Sequence, residues 1–291
     1  MIKPNQLVSI GMPVYNGANF IREALDSLLA QTFTDFELII SDNASTDETE
    51  TICKEYENLD FRIRYIRQKK NIGALQNFQF VLGEARNKYF MWAACDDAWD
   101  RNFLMLLCDE LEMKDCHAVF SKVIQIDKYS KSIIHPASTN SFDFSGGHLK
   151  RRIRFFLEFE GFGKANLFYS LFRRAKLEGI ILSDFSADYL VLFDLLNKFE
   201  FTSIKNVFLY KRIHDSSQGI TRPKTNLKKL CEILTFNVFW RDLCISKSYL
   251  NHTRGCEWLI IAVLIPIKIL LTHIIYSKRV ASKLIGYNTP Q

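Results

Sequence analysis

Two adjacent carboxylates, Asp96 and Asp97, follow the apolar run 89–93, and a third, Asp42, follows the run 36–41. Neighbouring acids at a strand end repel unless something offsets their charge. Mg2+ or Mn2+ does so directly, taking one or two carboxylates together with substrate phosphates. One acid can then hold a metal while another accepts hydrogen bonds from a base or a ribose. The plain alternative is a solvated turn, or acids stabilising the N-terminus of a helix that opens near Phe103.

The elements that must position these acids alternate along the first third of the chain. Val8–Met12 reads as a short buried strand ended by Pro13, and Phe20, Ala24, Leu25 and Leu28 recur at helical spacing. Strand signals follow at 36–41, 63–66 and 89–93, with a helix between each pair. Ser45-Thr46-Asp47-Glu48 has the form of a capping box, which places a helix start at Thr46. This order predicts a mainly parallel sheet covered by helices. Ligands of such sheets bind at the carboxyl ends of the strands, where Asp42, Asp96 and Asp97 would meet. Beyond 116 the pattern loosens, with strands expected at 118–126, 166–172 and 207–210 and a helix at 189–199.

Missing motifs narrow the chemistry. The first strand is not followed by G-x-G-x-x-G, and the chain contains no G-x-x-x-x-G-K-[ST], no H-E-x-x-H and no G-x-S-x-G. An acidic edge without a glycine-rich phosphate cradle fits a nucleoside-diphosphate ligand whose phosphates are held by a metal.

Four segments in register then carry a resemblance. Val8-Ser9-Ile10-Gly11-Met12-Pro13-Val14-Tyr15-Asn16, Ser41-Asp42-Asn43-Ala44-Ser45-Thr46-Asp47, Asn71-Ile72-Gly73 and Trp92-Ala93-Ala94-Cys95-Asp96-Asp97-Ala98-Trp99 resemble the family-2 glycosyltransferases in order and spacing. The resemblance implies the α/β GT-A fold of nucleotide-diphospho-sugar transferases and an inverting transfer of a sugar from a nucleotide-diphosphate donor. It implies that Asp42 contacts the base, Asp96 the ribose, and Asp97 an Mn2+ or Mg2+ bridging the diphosphate. Pro13, Tyr15, Asn16 and Asn71 would belong to the nucleotide-sugar site. Asp188 stands where the family has its general base, with Asp184 as a rival, and Arg212-Ile213-His214 resembles the family's Arg-x-His near the diphosphate. Cys95 departs from the pattern, since many relatives carry a third acid there. A nucleotidyltransferase also uses a parallel sheet and acidic metal ligands, and an inactive membrane-binding module could keep the fold. The first lacks its glycine-rich loop here, and the intact acids speak against the second.

The 291 residues are 48% hydrophobic and 24% charged, which suits a folded protein of one large or two modest domains and excludes disorder as the main state. Seven cysteines without a C-x-x-C pair suggest reduced thiols in the cytoplasm, and the polar start 1–6 predicts no signal peptide. Charge is uneven: residues 205–291 hold 14 Lys/Arg against 4 Asp/Glu, and residues 1–204 hold 24 against 28. We therefore expect a catalytic domain over 1–220 and a basic, apolar helical tail over 221–291. The tail's partner is expected to be an anionic membrane rather than nucleic acid. Within it, 258–276 is apolar for 19 residues but interrupted by Pro266, Lys268 and His273. Three readings compete: a packed helix or homodimer contact, a membrane span, and an in-plane helix that leaves Lys268 among the headgroups. The last is the expectation, with the protein peripheral to the inner face of the cell membrane and meeting a glycan or lipid-linked acceptor in polysaccharide or lipopolysaccharide synthesis.

Overall fold

The computed structural model describes residues 7–114, 116–182, 188–214 and 237–284, without the side chains of 188, 237–242 and 279–284. In chain order the elements are β1 (Val8–Val14), α1 (Ile21–Leu29), β2 (Phe36–Asp42), α2 (Thr49–Leu59), β3 (Ile63–Arg67), α3 (Ala74–Glu84), β4 (Tyr89–Trp92) and β5 (Ala98–Trp99). There follow α4 (Phe103–Lys114), β6 (Ala118–Ile126), α5 (His148–Leu157), β7 (Leu171–Arg173), α6 (Asp188–Leu195), β8 (Phe201–Arg212), α7 (Asn237–Asn251) and α8 (Cys256–Leu284). The strands form one sheet in the order β3-β2-β1-β4-β7-β6-β8-β5. Strands β3, β2, β1 and β4 run parallel, as do β6 and β8, whereas β7 is antiparallel to β4 and β6 and β5 is antiparallel to β8.

Every residue of β1 and β2 is buried, as expected of parallel strands covered on both faces. Strand β1 runs on through Pro13 to Val14. Its pairing with β4 ends at Gly11, so beyond that point it has only β2 beside it, and a proline without an N–H is tolerated. Gly11 lets α3 approach closely, because a Cβ there would lie 2.7 Å from Val81 Cγ2.

Helix α2 starts at Thr49, not Thr46. The Ser45 hydroxyl that would cap it accepts instead from the Asn16 N–H, at 2.9 Å. The segment 166–172, expected as a strand, is a 3-10 turn over Lys164–Tyr169 followed by β7. Its buried residues Lys164, Asn166, Leu167 and Phe168 do not alternate as a strand requires, and the Phe168 ring stacks on Trp92 at 4.4 Å.

The chain divides into two compact units, Met1–Arg151 with Glu160–His214 and Arg152–Phe159 with Asp215–Gln291. In the second, α8 continues through Pro266. Lys268 corrects an expectation: it is 2% exposed, and its ammonium donates to the Phe156 carbonyl at 2.7 Å. It lies 4.6 Å from the Phe156 ring centroid and 4.9 Å from that of Tyr249, so it faces the packed interior of its unit rather than any headgroup. Arg152 donates to the His252 carbonyl at 2.6 Å and pairs with Glu257 at 3.0 Å.

Candidate active site

The segments that follow β1 and β2 are bound together by short polar links. Asn16, in the left-handed region at φ 52°, accepts at Oδ1 from the Thr46 N–H, at 2.8 Å. Gly17 N–H donates to Thr49 Oγ1 at 2.9 Å. A Cβ at Gly17 would sit 2.6 Å from Val14 Cγ2 and 3.2 Å from Cys95 Sγ, so the loop after β1 closes against β4's loop only with glycine there. Pro13 is buried within β1, while Tyr15 is 49% exposed on this edge.

Asp42 is fully buried at the end of β2. Its Oδ1 accepts from the Ser45 N–H at 2.8 Å, and its Oδ2 from Tyr65 Oη at 2.6 Å and Arg67 at 2.7 Å. Arg67 also donates to the Ser45 carbonyl at 2.9 Å, which fixes the turn after β2. Burial, then the bond to Asp42, pushes the Tyr65 phenol up, so it stays a donor. Asn71 is exposed, and its Oδ1 accepts from Asn43 Nδ2 at 3.0 Å and the Gly73 N–H at 2.8 Å.

The paired acids have unlike surroundings. Asp97 is 2% exposed: Oδ1 accepts the Arg212 N–H at 2.8 Å, and Oδ2 faces Lys211 Nζ at 3.4 Å. Burial raises its pKa to about 6, with Lys211 pulling it down and Asp96 pushing it further up. The Asp96 side chain is 29% exposed, and its Oδ2 lies 2.9 Å from His214 Nε2. The His214 ring packs against Phe20 at 4.7 Å. Burial, followed by the charges of Asp96 and Asp97, drives the Cys95 thiol well above its usual range, so it is protonated at neutral pH and is no substitute for a third acid.

Arg212 joins these parts. It is 3% exposed and donates to the Asp96 carbonyl at 2.8 Å, the Asp127 carbonyl at 3.0 Å, Ser130 Oγ at 3.0 Å and Glu23 Oε2 at 2.6 Å. Its guanidinium lies over the Phe20 ring at 4.9 Å. The sequence marks Arg212 and His214 but gives no sign of Glu23, Phe20, Tyr65 or Arg67, whose importance arises from pairing across the fold. Asp188 begins α6, but its side chain, like the whole of Asp184, lies outside the described residues.

The acids at this edge suit a divalent cation. No group of three or more His, Cys, Asp or Glu side chains suited to a metal occurs among the described residues. Asp97, the ligand implied by the resemblance, accepts the Arg212 N–H at Oδ1 and faces Lys211 at 3.4 Å from Oδ2, and a carboxylate with about four lone-pair sites keeps capacity for a cation. Asp96 Oδ2 and His214 Nε2 are bonded to each other at the same edge. One or two carboxylates suffice where substrate phosphates complete the shell.

This architecture, a mainly parallel sheet with acids and an Arg-x-His at its carboxyl edge, is the GT-A fold of glycosyltransferases. The chain belongs to glycosyl transferase family 2, whose model matches residues 9–181. It is 38% identical over 130 residues to the uncharacterised glycosyltransferase RP339 of Rickettsia prowazekii, a match covering 44% of this chain and 39% of that one. TuaG of Bacillus subtilis, a glycosyltransferase named for teichuronic acid biosynthesis, is 31% identical over 115 residues, covering 40% of this chain and 46% of its own. The aligned stretches thus span less than half the length of these relatives. Among solved structures, the mannosyltransferase PcManGT of Pyrobaculum calidifontis, in complex with GDP-Man and Mn2+, superposes with a TM-score of 0.59 at 13% identity. That match covers 99% of this chain and 78% of PcManGT, and at this identity it speaks to the fold.

Proposed function

We propose that the protein transfers a hexosyl or N-acetylhexosaminyl group, with inversion, from a nucleotide-diphosphate sugar to a hydroxyl of a glycan or lipid-linked acceptor. The setting would be surface polysaccharide or lipopolysaccharide synthesis at the cytoplasmic face of a membrane. One observation carries the reading: Asp96 and His214, 118 positions apart, meet at 2.9 Å on the edge where β1, β2 and β4 end. The GDP-Man and Mn2+ bound to PcManGT and the naming of TuaG for teichuronic acid biosynthesis support it.

Pro13, Tyr15, Asn16, Asp42 and Asn71 frame the nucleotide. Asp42 does so with Tyr65 and Arg67, which hold its carboxylate and the Ser45 turn in place. Asp97 would hold the Mn2+ or Mg2+, with Asp96 on the ribose and His214 at the diphosphate, and the cation would supply charge that stabilises the leaving diphosphate. Asp97 anchors the end of β8 through the Arg212 N–H, which keeps His214 beside Asp96. Asp188 takes the acceptor's proton, because a neutral hydroxyl is a weak nucleophile. Attack on the face opposite the leaving diphosphate inverts the anomeric centre.

The test incubates the protein with a panel of UDP- and GDP-sugars and Mn2+, following nucleoside diphosphate release by chromatography and the anomer of the freed or transferred sugar by NMR. The expected result is cation-dependent release from at least one donor with an inverted product. Release with retention would overturn the mechanism, and transfer of a nucleotidyl group would overturn the class.

A further inference from the structure

Helix α8 has two unlike faces. Ile261, Lys268, Ile269 and Thr272 are buried within the second unit. Leu259, Val263, Ile267, Leu270, Leu271 and Ile274 are between 43% and 71% exposed. Their spacing of three and four sets them along one side of the helix for about 22 Å, at the usual rise of about 1.5 Å per residue. Exposed Lys278 follows this stripe at its C-terminal end.

We infer that this stripe lies in the plane of an anionic lipid surface. The inference rests on the proposed membrane location and names the surface that makes the contact. Charge selects the partner: residues 215–291 carry 11 Lys/Arg against 4 Asp/Glu, and Arg254 and Lys278 are exposed on either side of the stripe. An isologous dimer through the same face would set two such basic surfaces against each other, whereas anionic headgroups attract each cation.

Lys268 decides the orientation. By length and composition, the 23 residues of Cys256–Lys278 could cross a membrane. A crossing helix would have to withdraw Lys268 from the Phe156 carbonyl and the Tyr249 ring and carry it into hydrocarbon. Its packing partner α7 contains Arg241, Asp242 and Lys247, so the pair is not suited to cross together. An in-plane helix keeps the Lys268 contact and still covers the whole stripe.

The full chain is sedimented with phosphatidylglycerol–phosphatidylcholine vesicles and with phosphatidylcholine alone, at low and high salt. We expect binding to the anionic vesicles that salt weakens. Ile267→Gln with Leu270→Gln should lower that binding by about tenfold or more without changing the far-UV spectrum. Lys278→Gln should lower it about fivefold on anionic vesicles only. Unchanged binding in the double glutamine variant would overturn the stripe as the contact while leaving the membrane location standing. Absence of vesicle binding by the wild type would overturn both. Retention that only detergent releases would show a span, and self-association lost in the double variant without vesicle binding would assign the face to a second copy.

Discussion

Replacing Arg212 with methionine removes the side chain that ties the Asp96 main chain and the 127–130 turn to the end of β8. Two of the groups it leaves behind are main-chain carbonyls, of Asp96 and Asp127, bonded at 2.8 and 3.0 Å. Both bonds are partly buried, so each acceptor stripped of its donor costs toward the lower end of about 1–3 kcal/mol. The Glu23 carboxylate is 44% exposed, so it regains water and adds little, as partly exposed ion pairs contribute about 0–1 kcal/mol. Methionine can still lie over the Phe20 ring, which offsets some of the lost packing. The expected loss is therefore about 2–4 kcal/mol, read from urea unfolding with unchanged slope. Glu23→Gln should cost less than about 1 kcal/mol in the same assay. Donor affinity should fall in the methionine variant as well, because the Asp96 carbonyl and the His214 segment lose a shared anchor. If Glu23→Gln proved as damaging as Arg212→Met, the energy would reside in the ion pair and the argument from the two carbonyls would fail.

Further outcomes follow from the same contacts. Gly17→Ala places a Cβ 2.6 Å from Val14 Cγ2 and should cost about 1–3 kcal/mol in urea unfolding. Burial pushes the Cys53 and Cys108 thiols up to about 12, whereas Cys244 and Cys256 are exposed. Alkylation of the native protein at pH 8, mapped by mass spectrometry, should therefore modify Cys244 and Cys256 long before Cys53 and Cys108. Asp188→Asn should bind donor at wild-type affinity in a titration and transfer at least about a hundredfold more slowly, since a base acts on the acceptor's proton.

The β-α alternation of the first third was legible because β1, β2 and β4 are buried, largely apolar runs and β3 a short partly exposed one, and each helix repeats its apolar side chains at three and four. Departures came where a side chain served a distant partner. Ser45 reads as a helix cap in its own segment, but its hydroxyl serves the Asn16 N–H across the cleft. Pro13 reads as a strand end, yet β1 has lost one neighbour by that point and continues. Lys268 reads as a cation in search of water, and the Phe156 carbonyl with two aromatic rings receives it. In the site, the motifs located Asp42, Asp96, Asp97 and His214. Burial alone separates Asp97, engaged inside the protein, from Asp96, open at the edge, and no spacing rule distinguishes two consecutive aspartates.

Titration calorimetry of a UDP- and GDP-sugar panel, with and without Mn2+, in the wild type, Asp97→Asn and His214→Ala, is the sharpest test of a cation-dependent donor site. At least one nucleotide sugar should bind with Mn2+ and much more weakly without it, Asp97→Asn should remove the effect of the cation, and His214→Ala should weaken binding in its presence. Binding that ignores both the cation and Asp97, or no binding by any nucleotide sugar, would refute that site.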